Sequence, residues 1–244
     1  MTYPKYKGKH FEESLVNPEI SVRKIPKNMP KKVIICYQRT PVRYFKRKYK
    51  AKLKKIIKLF GKAQVYQYKD IGLVYMAGIG APHACVAFEM LIAMGAKTFI
   101  NIGAAGGLYH EGIFLCDKAM RDEGTSYHYI PHGHFIYPDL KLTKKLGKAI
   151  EKQGVEYFEG TTWTIDAPYR ETRAEVQRYA KKGIATVEME ASALFAVAKY
   201  RKVRIAAAFI VSDILGDVWD PRFGHKAVKE GQKILVRAAV ECLR

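Results

Sequence analysis

The chain has 244 residues, of which 48% are hydrophobic, 12% aromatic and 27% charged. That length buries a substantial core without disulfides or a structural metal, and the composition excludes a disordered tail or a collagen-like fibre. Forty-three Lys and Arg against 23 Asp and Glu leave a formal charge of +20, and no run of about 18 apolar residues exists to form a membrane-spanning helix.

Residues 1–30 are polar and punctuated by Pro4, Pro18, Pro26 and Pro30, which reads as an arm or irregular lead-in. This stretch has no apolar leader segment, so a secretory signal is not expected. Residues 32–37, Lys-Val-Ile-Ile-Cys-Tyr, form a short apolar run of buried-strand type. A basic helix is expected around 42–60, with Lys54, Lys55 and Lys58 set between Leu53, Ile56, Ile57 and Leu59. The lysines read either as a solvated helix face or as a polyanion-binding surface. Residues 71–77 are strand-like. Gly78-Ile-Gly-Ala-Pro82 then turns into a helix over 83–94, with Pro82 near the helix start and Gly95 at its stop.

A second buried strand covers 98–102 and ends in the turn Gly103-Ala-Ala-Gly-Gly107. Helices follow over 139–152 and 171–182, closed by Gly154 and Gly183. Thr186-Val-Glu-Met-Glu190 leads into an apolar helix over 191–200, residues 205–211 form a strand ending at Ser212-Asp213, and a last amphipathic helix runs over 226–243. Alternating strands and helices predict an α/β fold: a single domain over 31–244 whose central mixed, largely parallel sheet is flanked by helices. Cys36, Cys85, Cys116 and Cys242 show no paired spacing. They read as buried free thiols in a reducing, cytoplasmic compartment. His110, His128, His132 and His134 lack metal-ligand spacing, so no metal is expected.

Ligands of open α/β sheets bind beyond the carboxyl ends of strands, and four such ends here carry unusual residues: 38–43, 78–83, 103–107 and 212–213. Glycines at these ends let backbone N–H groups approach an anion, although tight turns need glycine in any case. Glu188 and Glu190 flank Met189 just before an apolar helix, and Asp213 ends an apolar strand. Two readings stand for these acids. They complement helix N-termini, or they are pocketed carboxyls with raised pKa that work on a ligand.

Several segments then carry a resemblance. They are Gly78-Ile-Gly-Ala-Pro82, Ile102-Gly-Ala-Ala-Gly-Gly-Leu108 and Arg121-Asp-Glu-Gly-Thr-Ser-Tyr-His128, followed by Thr162-Trp-Thr-Ile-Asp-Ala-Pro-Tyr-Arg-Glu-Thr172, Val187-Glu-Met-Glu-Ala-Ser-Ala-Leu-Phe195 and Val211-Ser-Asp213. In this order and spacing, over roughly residues 31–243, the chain resembles the nucleoside phosphorylase family of purine nucleoside and uridine phosphorylases. The resemblance implies cleavage of a ribonucleoside's N-glycosidic bond by phosphate, giving free base and ribose 1-phosphate. It places Glu190, Met189 and Glu188 at the ribose and makes Asp213 the catalytic acid at the base. Ala105, Gly106, Tyr169, Arg170 and Ser212 fall at the base, where Pro168 replaces a usual stacking Phe. Arg39, Arg43, His83, Gly103 and Ala104 fall at the phosphate.

The phosphate motif departs from the family's Gly-Asp-Pro-x-Arg. Arg39-Thr-Pro-Val-Arg43 replaces its glycine with a cation, and Asn101 and Ala104 stand where an Arg and a Ser or Thr usually bind phosphate. The implied partners are a nucleoside and phosphate or another anion, with no cofactor, membrane or nucleic-acid partner and a homo-oligomer (dimer or hexamer). The alternatives are a phosphate-independent nucleosidase, or a nucleoside- or nucleotide-binding protein that has lost catalysis.

Overall fold

The computed structural model describes residues 8–22, 29–57 and 63–244. A 3-10 turn (Lys9–Phe11) and a short helix α1 (Pro18–Ser21) precede β1 (Lys32–Cys36), α2 (Arg39–Tyr49), β2 (Lys52–Ile57), β3 (Ala63–Tyr68) and β4 (Ile71–Met76). Next come α3 (Ala81–Ala93), β5 (Thr98–Leu108), β6 (Ile113–Asp122), β7 (Phe135–Ile136), α4 (Leu140–Glu151) and β8 (Phe158–Ile165). The chain finishes with α5 (Arg173–Lys181), β9 (Ile184–Glu188), α6 (Ala191–Arg201), β10 (Arg204–Leu215), β11 (Trp219–Pro221) and α7 (Lys226–Leu243).

Apolar runs buried on both faces build the centre. In β1, Val33 and Ile35 pack with Phe88, Phe99 and Phe195, while Ile34 and Cys36 pack with Ile100, Leu146 and Leu235. Beside the neighbouring strand residues Phe99 and Ile100, the first set comes from α3 and α6 and the second from α4 and α7, so helices cover both faces as the α/β pattern predicts. The sheet is mixed. β1 runs parallel to β4 and β5, and β5 runs parallel to β10 over eleven residue pairs. The β2–β3 and β3–β4 pairings are antiparallel. β5, β10, β6, β8 and β9 also pair in a closed ring, and two residue pairs complete it, Gly106 opposite Val187 and Gly107 opposite Thr186. A Cβ at Gly106 would run into the side chains of Leu215 and Val187, so glycine is what lets the ring close there.

Three expectations need correction. The basic helix stops at Tyr49 rather than near residue 60, because Lys50 takes a left-handed conformation (φ 51°). Residues 52–57 then pair as a strand with β3, while Lys58 and Leu59 lie outside the described residues. The helical spacing of Leu53, Ile56 and Ile57 was thus overridden by sheet pairing. The glycine-rich segment 103–107 is not a turn but the second half of β5. Ser212 and Asp213 do not end a strand or cap a helix, since β10 continues to Leu215.

Candidate active site

The carboxyl-end halves of β5 and β10 and the β9–α6 junction frame a cleft of about 710 Å³. Glu188, Met189 and Glu190 line it from the β9–α6 junction, Gly103, Ala104, Ala105 and Gly106 from β5, and Ser212 and Asp213 from β10. Successive residues of a regular strand face opposite sides. Here the β10–β5 register slips between Val211 and Asp213, leaving Ser212 as an extra residue. This bulge explains how both Ser212 and Asp213 reach one cleft, a common use of bulges beside ligand sites.

Each acid on that wall is held differently. Glu188 is buried and accepts three hydrogen bonds: Thr164 Oγ1–H at 2.6 Å and the backbone N–H groups of Glu190 and Ala191 at 2.8 and 2.7 Å. It therefore caps the start of α6, where free N–H groups and the helix dipole favour a carboxylate. Glu190 Oε1 accepts the Gly80 N–H at 2.6 Å from the start of α3. Burial pushes both carboxyls above their ordinary range, and the charge of Glu190 pushes Glu188 further. Asp213 is buried with both oxygens engaged, Oδ1 by Ser212 Oγ–H at 2.8 Å and Oδ2 by the Trp219 indole N–H at 2.9 Å.

Sequence reasoning missed Glu171 as a site residue by placing it in a helix. It lies between a 3-10 turn (Pro168–Arg170) and Thr172, the N-cap of α5, and it lines the cleft. Burial first, then the charge of Asp213, push its carboxyl up to about 7. The usable signal was Thr172-x-x-Glu175, a capping-box pattern that starts the helix after Glu171. Trp219, Tyr37 and Gln38 were missed as well and also line the cleft.

The phosphate candidates divide. Gly103 and Ala104 are on the wall, but Arg39, Arg43 and His83 are not. Both arginines sit exposed on the first turns of α2, and the His83 ring packs on Gly78, whose N–H it accepts at 3.3 Å. Tyr169 is fully exposed at the cleft mouth, while Arg170 is off the wall. Asn101 is wholly buried and accepts the Tyr37 hydroxyl at 3.1 Å, with its own amide nitrogen unpartnered among the described residues. Among the described lining residues, Glu171, Glu188, Glu190, Asp213 and Asp217 carry carboxyls against the single cation Arg173.

Other singled-out residues hold structure. Arg121 donates to Ser126 Oγ and to the carbonyls of Ile130 and Pro131, while Glu123 accepts from Thr125 N–H, Ser126 N–H and Ser192 Oγ–H. The Arg121–His128 motif thus pins its loop to α6. Trp163 is buried and donates to Asp122, and Asp166 anchors the Gly124 N–H. The four cysteines are buried free thiols.

A buried acid pair from the β9–α6 junction and a bulge-borne aspartate from β10, lining one cleft framed by a mixed α/β sheet, agree with a family match. The family model "Phosphorylase superfamily" matches residues 43–243. The chain belongs to the phosphorylase superfamily. It is 27% identical to the purine nucleoside phosphorylase of Plasmodium vivax, over 73% of this chain and 79% of that one. Seven other curated relatives are matched over 56 to 68% of their length. Among solved structures, a uridine phosphorylase from Vibrio fischeri superposes with a TM-score of 0.76 at 26% identity, covering 91% of this chain and 97% of that one. An AMP nucleosidase from Bacteroides thetaiotaomicron shares the fold, with a TM-score of 0.70 at 20% identity over 87% and 89% of the two chains.

Proposed function

We propose that this superfamily member breaks the N-glycosidic bond of a purine nucleoside or uridine in the cleft, with phosphate attacking C1′ to give free base and ribose 1-phosphate. One observation carries the reading: Glu190 from the β9–α6 junction and Asp213 from β10, both buried, line the same cleft. In this reading Glu190 accepts the ribose hydroxyls, with Met189 against the sugar and Glu188 fixing the start of α6. Asp213 faces the base, beside Ser212, Ala105, Gly106 and Tyr169. Catalysis then comes from preorganised charge that meets the charge developing as the sugar becomes cationic and the base departs.

Residues 31–244 are taken as the working domain, in a reducing cytoplasmic setting and with no cofactor. Exposed Ile79, Tyr169, Trp219 and Phe223 at the cleft mouth support a homo-oligomer, dimer or hexamer, whose subunit boundary lies beside the site.

A second reading, hydrolysis by water, is favoured by the five carboxyls and single cation on the cleft wall and by the neutral Tyr37–Asn101 pair. A buried phosphate is normally held by several charge-assisted hydrogen bonds. The two readings break the same bond and are separated by one assay. Base release from inosine, adenosine, guanosine and uridine is measured with and without phosphate. Phosphorolysis requires phosphate and yields the sugar phosphate, whereas equal rates in both conditions assign water as the nucleophile.

A further inference from the structure

We infer that the basic face of α2 binds the phosphate backbone of a nucleic acid without reading its sequence, a partner that the family resemblance does not imply. The interaction is separate from the cleft and from the chemistry proposed there. It starts from an uneven placement of charge. Residues 20–69 hold 17 of the 43 lysines and arginines and no Asp or Glu, leaving 26 against 23 in the rest of the chain. Most of the formal +20 therefore comes from one stretch.

The fold concentrates cations on one surface. α2, α7 and α4 cover the sheet face that holds Ile34 and Ile100, and they carry 13 Lys and Arg against three Asp and Glu. α3 and α6, over the opposite face, carry two cations and one acid. Within α2, Val42, Phe45 and Tyr49 pack inward. At 3.6 residues per turn, Arg39, Arg43, Lys46 and Arg47 then share an arc of about 100° on the outer side, with Lys50 next in line. All five are exposed. The stripe runs about 16 Å along the helix, spread out as a long anion requires rather than gathered around a small one.

Structural roles account for only part of this charge. The lysines of β2 guard an edge strand against pairing with other chains, and Lys46, Arg47 and Lys48 suit the negative end of the α2 dipole. Arg39, however, opens the helix, where the dipole opposes a cation. Arg39 and Arg43, and Arg43 and Arg47, are like charges four residues apart, an unfavourable spacing on a helix. Among the described residues no ion pair offsets any of them. An anion from outside the chain would relieve all of these repulsions.

The same surface lacks what other partners need. α2 and α7 expose no large apolar side chain, so they offer nothing to insert into a lipid layer and no apolar centre for a protein interface. A row of arginines and lysines on a polar face matches phosphodiesters, whose contacts dominate binding that ignores sequence.

The test follows the anisotropy of two labelled probes, an oligo(U) RNA and a duplex DNA, titrated with the full chain at rising salt. Wild type should bind at least one of them, with log K falling steeply against log salt. Combining Lys46→Gln, Arg47→Gln and Lys50→Gln should weaken binding about tenfold or more at low salt. It should also lower the salt slope by about 2, as three lost contacts to a single strand require. Combining Lys181→Gln, Lys182→Gln and Lys202→Gln removes the same charge from the ends of α5 and α6 and should change affinity by less than about threefold. Acetylation of wild-type lysines needs no variant and so stands even if a substitution misfolds: bound nucleic acid should shield Lys46, Lys48 and Lys50 while Lys181 and Lys182 react as before. Equal losses from the two triple substitutions, uniform shielding, a salt-insensitive complex or no binding of either probe would each overturn the inference. Tighter binding to phosphatidylserine vesicles than to either probe would overturn it in favour of a lipid surface. None of these assays measures base release, so their outcome leaves the reading of the cleft untouched.

Discussion

The two sides of the cleft are built in different ways. On the β9–α6 and β10 side, buried acids are locked by the ring of strands: Glu188 by three donors, Glu190 by Gly80, and Asp213 by Ser212 and Trp219. On the β1–α2 side the corresponding candidates are exposed arginines on a helix surface, and the neutral Tyr37–Asn101 pair takes the interior. Burial makes the difference. A carboxyl taken out of water must be satisfied where it stands, so its geometry is fixed, whereas an exposed guanidinium needs no such partner and need not point at the site.

The largest effects should come from the locked side. Glu190→Gln and Asp213→Asn are each expected to lower base release by about 100-fold or more, as the loss of a transition-state contact does. A loss under about threefold for either would detach that acid from the chemistry. Glu188→Ala strips one hydroxyl and two backbone N–H groups of their buried acceptor. It should destabilise the fold by about 2–4 kcal/mol, read as a lower midpoint in urea unfolding.

The same burial gives a pH dependence. Glu188 and Glu190 have folded values raised from 4.5 to about 8 and about 7. Between the unfolded and folded values the native state holds more protons, so this contribution is fully present below about pH 4.5 and is lost as pH rises through 7 to 8. Thermal unfolding midpoints should therefore fall over that window. Glu190→Gln keeps an acceptor for Gly80 but carries no charge, so it should raise stability at pH 8 by about 1–3 kcal/mol and flatten the slope. An unchanged slope would mean that the pair is not desolvated in solution.

The smallest effects are expected at the exposed corner. Arg39→Ala and Arg43→Ala should each change stability by no more than about 0.5 kcal/mol. They should also shift the KM for phosphate, where phosphate is used, by less than about threefold. A tenfold rise would return the anion site to α2 and erase the contrast between the two sides.

How much was legible in the sequence follows the same physics. β1, α3, α4, α6 and α7 were readable because unbroken apolar runs or helical periodicity ended at glycine, proline or polar caps. β6 and β8 were not. The buried half of β8 holds Thr161, Thr162 and Thr164, so no apolar run announces it, and β6 mixes Asp117, Lys118 and Arg121 with its apolar residues. The end of α2 was hidden because a lysine, not a glycine, adopts the left-handed turn at residue 50. In the site, Glu188, Glu190 and Asp213 stood out as acids in apolar surroundings. Glu171 was masked by charged neighbours, Arg170 and Arg173. The bulge that brings Ser212 and Asp213 to one face comes from pairing between distant strands, which no local pattern records.

The central claim is that one cleft holds a nucleoside between Glu190 and Asp213. A crystal structure with a non-cleavable C-nucleoside tests it most directly. The account predicts the 2′ and 3′ hydroxyls within hydrogen-bonding reach of Glu190 and the base edge at Asp213. A ribosyl group bound elsewhere, with the Glu190 and Asp213 contacts unchanged and the cleft empty, would contradict it.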